Sequence, residues 1–295
     1  MIGDTQQIRY KQNNIHKKRH FVIYNIHHLH CGTFCPICAP LFGQQGWQAK
    51  LVCHCLLLET DQGLVLVDTG LGVEDYLHPK QRLGTLLTHT ARIQHDLSQT
   101  ALKQIQQLGY QASDVQHILV SHLDFDHAGG IADFPNATVH ILASEYKAAC
   151  NLKSLKNRMR YKPKQFQQHT HWDFLEPTRG EAWFNFNRVQ GLTIFKDEIL
   201  LIPLPGHSAG HCGIAIRQAQ GWLFFCGDAY YAQAQLDPKQ CFPALHTVEY
   251  LFAENNLMRL KTLANIQHLA QTAPQVEIIC AHDPIALAQY QIPKA

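Results

Sequence analysis

No run of this chain reaches the ~18 uninterrupted apolar residues that a membrane-spanning helix requires. Its first residues, M-I-G-D-T-Q-Q-I-R-Y, lack the apolar core of a secretory signal. Charge of one sign is scarce as well: 25 Lys and Arg against 23 Asp and Glu leave a formal net charge of +2, so there is no electrostatic case for nucleic-acid binding. No internal repeat or low-complexity segment stands out. These absences leave a globular, cytoplasmic protein with a small molecule, rather than a nucleic acid or a membrane, as its expected partner. The ten cysteines are then expected to be mainly reduced. Cys35-Pro36-Ile37-Cys38, with Cys31, His28 and His30 close by, lacks the second half of a structural zinc motif and reads as free thiols. Cys53 and Cys55, two apart, share one face of a strand.

What the chain does have is concentrated in His122-Leu123-Asp124-Phe125-Asp126-His127. Two imidazoles and two carboxylates lie within one tight loop, and they can be divided between two cations if alternate residues point opposite ways. Two-metal hydrolysis needs such a donor set. The preceding residues, Val115 to Ser121, are rich in Val, Ile and Leu, as a buried strand should be. Ala128-Gly129-Gly130 then supplies the turn. Three further apolar runs end in a candidate ligand: Ile199 to Leu204 leads to His207, Phe224-Phe225-Cys226-Gly227 to Asp228, and Val276 to Ala281 to His282. Upstream, Gly63 to Val67 leads in the same way to Asp68. A strand-end Asp is ordinarily a turn residue and a lone His ordinarily structural; the recurrence of the pattern is what carries weight.

The 295 residues can bury a substantial core, and ligands spread from position 122 to 282 must converge, so one α/β domain spanning 1–295 is expected. Strands are expected over Phe21 to His30, Leu51 to Leu58, Leu64 to Asp68 and Thr138 to Leu142, with a loop from Gly32 to Trp47 of the kind that builds substrate pockets. Helical spacing is read over His89 to Leu108, with Gly109 at its C-terminal cap. A second helix is read from Ser144, as cap, to about Leu155, and a long amphipathic one over Thr247 to Gln271 with Leu251, Met258, Leu260, Leu263, Ile266 and Leu269 near its buried face. Residues 156–190 are first basic, then aromatic. They are either a solvated helix leading into a flap over the sheet, or a lid covering an apolar substrate beside the metals.

These motifs, in this order, resemble those of the metallo-β-lactamase superfamily, over about Leu51 to Asp283. The resemblance implies a four-layer αββα sandwich. It further implies that His122, Asp124 and His207 hold a first metal, that Asp126, His127 and His282 hold a second, that Asp228 bridges both, and that Asp68 supports the site without binding metal. Within the superfamily the Gly-Asp-Ala-Tyr-Tyr run is similar to that of the N-acyl-homoserine lactonases and places Tyr231 where they carry a substrate-contacting Tyr. The expected reaction is therefore attack of a metal-bridging hydroxide on an ester-like carbonyl, a lactone first, with Asp126 or Asp228 relaying a proton and Tyr231 stabilising the oxyanion. Other esters, thioesters or β-lactams on the same fold, or sulfur oxidation by a single iron, are the alternatives. Related lactonases are often homodimers. The family pattern has His where this chain has Asp124. That harder donor leaves iron or manganese open beside zinc, and an Asp124→His exchange is expected to raise zinc retention if the carboxylate weakens the first site.

Overall fold

Leu51–Thr60 reads L-V-C-H-C-L-L-L-E-T, nearly apolar throughout, because both faces of this strand are covered. In the computed structural model, which describes residues 21–177 and 181–291, Cys53, Cys55 and Leu57 enter one core while Leu56 and Leu58 enter another. The amino-terminal decapeptide and residues 178–180 of the aromatic stretch lie outside the described residues.

Two six-stranded sheets are formed. The first runs in the order β1 (Ile23–Phe34), β2 (Leu51–Thr60), β3 (Gly63–Val67), β4 (Val115–Leu119), β5 (Thr138–Leu142) and β6 (Trp172–Leu175). The second contains β7 (Glu181–Trp183), β8 (Phe186–Gly191), β9 (Ile199–Pro203), β10 (Cys212–Gln218), β11 (Gly221–Phe225) and β12 (Val276–Ile279), with β11 between β10 and β12. Leu56, Val65 and Leu119 of the first sheet pack in one cluster with Leu201, Ile214 and Phe225 of the second. Each outer face carries its own core: Leu66, Ile118 and Val139 with Ile105 and Phe134 on one side, Ile202, Phe224 and Ile278 with Leu263, Ile266 and Leu269 on the other. The layers are thus helix, sheet, sheet, helix, as expected.

Strand direction explains where the ligands gather. β3, β4 and β5 are mutually parallel, so Asp68 and the loop beginning at His122 leave the same edge. β11 and β12 are parallel, and β9 is antiparallel to β10, which is antiparallel to β11, so His207, Asp228 and His282 also leave one edge.

Several sequence expectations change. The 89–108 helix is two helices, Thr85–Ala91 and Ala101–Gln107: Arg92 adopts a left-handed conformation and ends the first, and the Thr100 hydroxyl accepts the Lys103 N–H to start the second. Ser144 is not a cap. The helix Ala143–Ala149 begins without a side-chain cap, and Ser154 caps the next helix, Leu155–Arg160. The aromatic half of 156–190 supplies strands, Trp172–Leu175 at the edge beside β5 and Phe186–Gly191 between β9 and the edge strand β7, because its residues alternate onto cores already present. The 247–271 helix breaks into Pro243–Phe252 and Asn256–Thr272. Leu251, Met258 and Leu260 are exposed, whereas Arg259 and Thr262 are buried with Leu263, Ile266 and Leu269. Polar pairing overrides apolar spacing here: Arg259 Nη1 lies 2.6 Å from Glu249 Oε2 and the Thr262 hydroxyl donates to Pro205 O at 2.8 Å. Asn255 caps the second piece by accepting the Met258 N–H at 3.1 Å.

Asn255→Ala is expected to lower stability by about 1 kcal/mol, read as a lower urea midpoint with an unchanged denaturant slope.

Candidate metal centre

Each strand edge contributes side chains whose outer atoms are tied to backbone or to buried partners, leaving the inner atoms to face one another. The His282 Nδ1–H donates to Val52 O at 2.8 Å, which turns Nε2 inward. His127 Nδ1 lies 2.7 Å from Asp68 Oδ2, and His122 Nδ1 lies 3.0 Å from the Ser121 hydroxyl oxygen. Facing these imidazoles, Asp228 spreads its carboxylate across both groups. Its Oδ2 lies 3.9 Å from His122 Nε2 and 3.5 Å from His207 Nε2, its Oδ1 lies 3.1 Å from His127 Nε2, and His282 Nε2 straddles the two, 3.0 Å from Oδ1 and 3.1 Å from Oδ2. Asp124 Oδ2 completes one group, 3.3 Å from His122 and 3.0 Å from His207. Asp126 Oδ2 completes the other, 3.6 Å from His282 and 4.0 Å from His127.

The residues fit two cations. A tetrahedral ion with ligands at ~2.1 Å sets its donor atoms about 3.4 Å apart, and donor atoms within each group lie inside 4.8 Å of one another. His122 Nε2, His127 Nε2 and Asp228 Oδ1 are buried without a hydrogen-bond partner, a costly state that coordination would relieve. All seven ligands expected from the sequence converge here. Cys31, Cys35 and Cys38 join neither group, and their thiols are free.

A sequence model of the metallo-beta-lactamase superfamily matches residues 49–256. The chain belongs to that superfamily. A probable metallo-hydrolase of Mycobacterium tuberculosis is 40% identical over 261 residues, 88% of this chain and 80% of that one. An N-acyl homoserine lactonase of Bacillus cereus is 28% identical over 70% of this chain and 74% of its own length. Among solved structures, an N-acyl homoserine lactone hydrolase with N-hexanoyl-L-homoserine at its catalytic metal centre superposes with a TM-score of 0.68, at 20% identity, covering 90% of this chain and 96% of that one. The dizinc quorum-quenching lactonase AidC gives 0.58 at 16% identity, covering 90% and 91%. These likenesses establish the metallo-beta-lactamase fold.

Around the ligands of this superfamily member lies a shell that the sequence only partly announced. Asp68, in a left-handed conformation, accepts the Ser121 N–H and hydroxyl, each at 2.7 Å, besides holding His127. His211, four residues after His207, has no role assigned from sequence. Its Nε2 accepts the Asp228 N–H at 3.0 Å and its Nδ1–H donates to Leu204 O. Burial and the neighbouring His207 push its pKa down to about 3, so it stays a neutral acceptor. Gly227 has φ +50, and a Cβ there would sit 2.8 Å from His211 Nε2, so the turn into Asp228 requires glycine.

Two buried charges were missed altogether. Glu145 accepts Leu123 N–H on the first metal loop and, at Oε2, the Ser208 hydroxyl and Gly210 N–H on the His207 loop. Arg160 forms an ion pair with Asp124, its Nε 2.8 Å from Oδ1. Against the cost of burial, Arg160 and then His122 hold the Asp124 carboxyl well below the ordinary carboxylate range. A lone acid after Ser144 and one arginine in a basic run give no signal in sequence that separates them from surface charge.

Asp228→Ala removes the only donor shared by both groups and is expected to reduce bound metal from about two ions per chain to at most one, read by mass spectrometry of dissolved ions. Glu145→Ala strands three donors and is expected to cost at least ~2 kcal/mol of stability, read by urea denaturation.

Proposed function

We propose that this metallo-hydrolase opens lactones, with an acyl-homoserine lactone as the first substrate to try and zinc as its metal. The observation that carries the reading is Tyr231. Its ring lies 5.1 Å from that of His282 and 6.4 Å from that of His207, between one imidazole from each ligand group. Among the described residues its hydroxyl has no hydrogen-bond partner. Burial and the adjacent Asp228 push its pKa well above the ordinary phenol value, which keeps it a donor. Tyr231 also belongs to a small apolar cluster with Leu245 and Val248, against which Phe42 and Phe242 pack. Phe42, from the segment that follows β1, thus stands beside the candidate ligands, whereas Gly32 to Phe34, expected as loop, extend β1.

Two divalent cations, when bound, would supply Lewis acidity and lower the pKa of water. The chain's own residues do the rest. The Tyr231 hydroxyl donates to the substrate carbonyl oxygen as negative charge builds there. The apolar cluster takes the acyl chain and holds the ring against the carboxylates. The Asp126 carboxylate, beside Asp228 and His282, relays a proton from the attacking water to the departing alkoxide. Tyr230 does not compete for the donor role, because its hydroxyl donates to Gln233 Oε1 and its ring is fully buried in the outer core. The similarity to the Bacillus cereus lactonase supports the same substrate class.

Purified protein is expected to carry about two zinc ions per chain and to release acid from acyl-homoserine lactones in a pH-stat assay. Tyr231→Phe should lower kcat by about 10²-fold or less with metal content unchanged. Turnover of thioesters or β-lactams with lactones untouched would overturn the substrate, and a single iron per chain with oxygen uptake would overturn the reaction.

A further inference from the structure

Position 124 carries a carboxylate where the family pattern has an imidazole, and opposite it the fold places Arg160. This last residue of the helix Leu155–Arg160 is only 7% exposed, although arginine is rarely buried without partners. Its Nε lies 2.8 Å from Asp124 Oδ1. Its Nη1 donates to His207 O at 2.7 Å, and its Nη2 donates to Phe252 O at 3.0 Å and to His207 Nε2 at 2.8 Å. A backbone bridge between Asp124 and Tyr161 fixes the neighbouring residue to the metal loop. The Asp124 carboxylate is thereby divided: Oδ1 belongs to Arg160, and Oδ2 alone faces His122 and His207.

We propose that Arg160 is a positioning residue of the first metal site, and that Asp124 and Arg160 together take the place of one neutral imidazole. The pair adds no net charge, as a neutral histidine adds none. The planar guanidinium is fixed by its hydrogen bonds to two carbonyls and keeps its positive charge in ion-pair contact with Oδ1, so a single oxygen is presented to the cation. The lone pair of His207 Nε2 cannot serve Arg160 and a cation at once. When a cation takes it, Arg160 keeps Asp124, His207 O and Phe252 O, and the exchange gives up one hydrogen bond. The proposal rests on the two-cation reading of the cluster and is independent of the lactone substrate.

The pairing reverses the effect expected from sequence for Asp124→His. Restoring the family imidazole alone would leave a buried guanidinium unpaired beside a divalent cation, and removing one partner of a buried ion pair is the damaging change. Repulsion then weakens the first site instead of strengthening it.

The test measures zinc per chain and zinc dissociation constants by chelator competition, with absorption spectra of the cobalt-loaded protein, for wild type, D124H, R160M and D124H/R160M. D124H is expected to weaken the first cation by about tenfold or more while the second stays bound. D124H/R160M, with no stranded charge, is expected to return to the wild-type value, a non-additivity that marks direct coupling. R160M alone should keep two cations but alter the cobalt spectrum, because Asp124 is then free to offer both oxygens. If D124H does not fold, Asp124→Asn carries the same expectation. D124H or D124N binding both cations as tightly as wild type, or R160M leaving the cobalt spectrum unchanged, overturns the proposal while the two-cation site stands. Wild type taking up no more than one cation overturns the two-cation reading and the proposal with it.

Discussion

The Asp228 carboxylate is the point through which the two sheets communicate. Its oxygens face His127 and His122 from the first sheet and His282 and His207 from the second, with His282 in reach of both oxygens. Among the described residues no other carboxylate meets both groups in this way. Its position is set by backbone as much as by side chain, since the His211 imidazole grips the Asp228 N–H and the left-handed turn at Gly227 admits no Cβ there. Strand order and direction in the second sheet therefore bring His207 and His282 to the site on either side of this one carboxyl group.

The convergence of the candidate ligands was legible in the sequence because each group follows an apolar run, and in parallel neighbours such runs end at the same edge. His122, His207, Asp228 and His282 obey this rule, and so does Asp68, which holds His127 from behind. The helices were less legible where burial is polar. Spacing over 247–271 placed Leu251, Met258 and Leu260 inside, but the helix break at Asn255 and the buried Arg259 and Thr262 turned them out. The aromatic stretch was read as either a flap over the sheet or a lid, and its described residues finish the two sheets; aromatic residues read alike whether they cap a pocket or extend a sheet. Glu145 and Arg160 were illegible, since nothing local distinguishes a charge that reaches a distant loop from one that reaches water.

Those two charges also describe how the fold tolerates so much buried polarity. Glu145 joins the loop at Leu123 to the loop at Ser208 and Gly210, and Arg160 joins Asp124 to the carbonyls of His207 and Phe252. Both connect the two loops that carry candidate ligands directly, one through an anion accepting backbone and hydroxyl protons, the other through a cation donating to carbonyls. The break before Asn255 belongs to the same assembly, because the Glu254 and Asn255 N–H groups donate to His207 O and Gly206 O. The helix boundary that sequence periodicity missed is thus part of the support for the first metal group.

The buried pair at positions 124 and 160 constrains the history open to this chain. Loss of Asp124 while Arg160 stays leaves a lone buried guanidinium, so with the proposed pairing a return to the imidazole at 124 has no neutral first step unless Arg160 goes first. Lineages carrying the pair should keep or lose both members together, and a sequence with Asp at 124 should be recognisable by a cation supplied 36 residues later, in a segment that otherwise looks like surface.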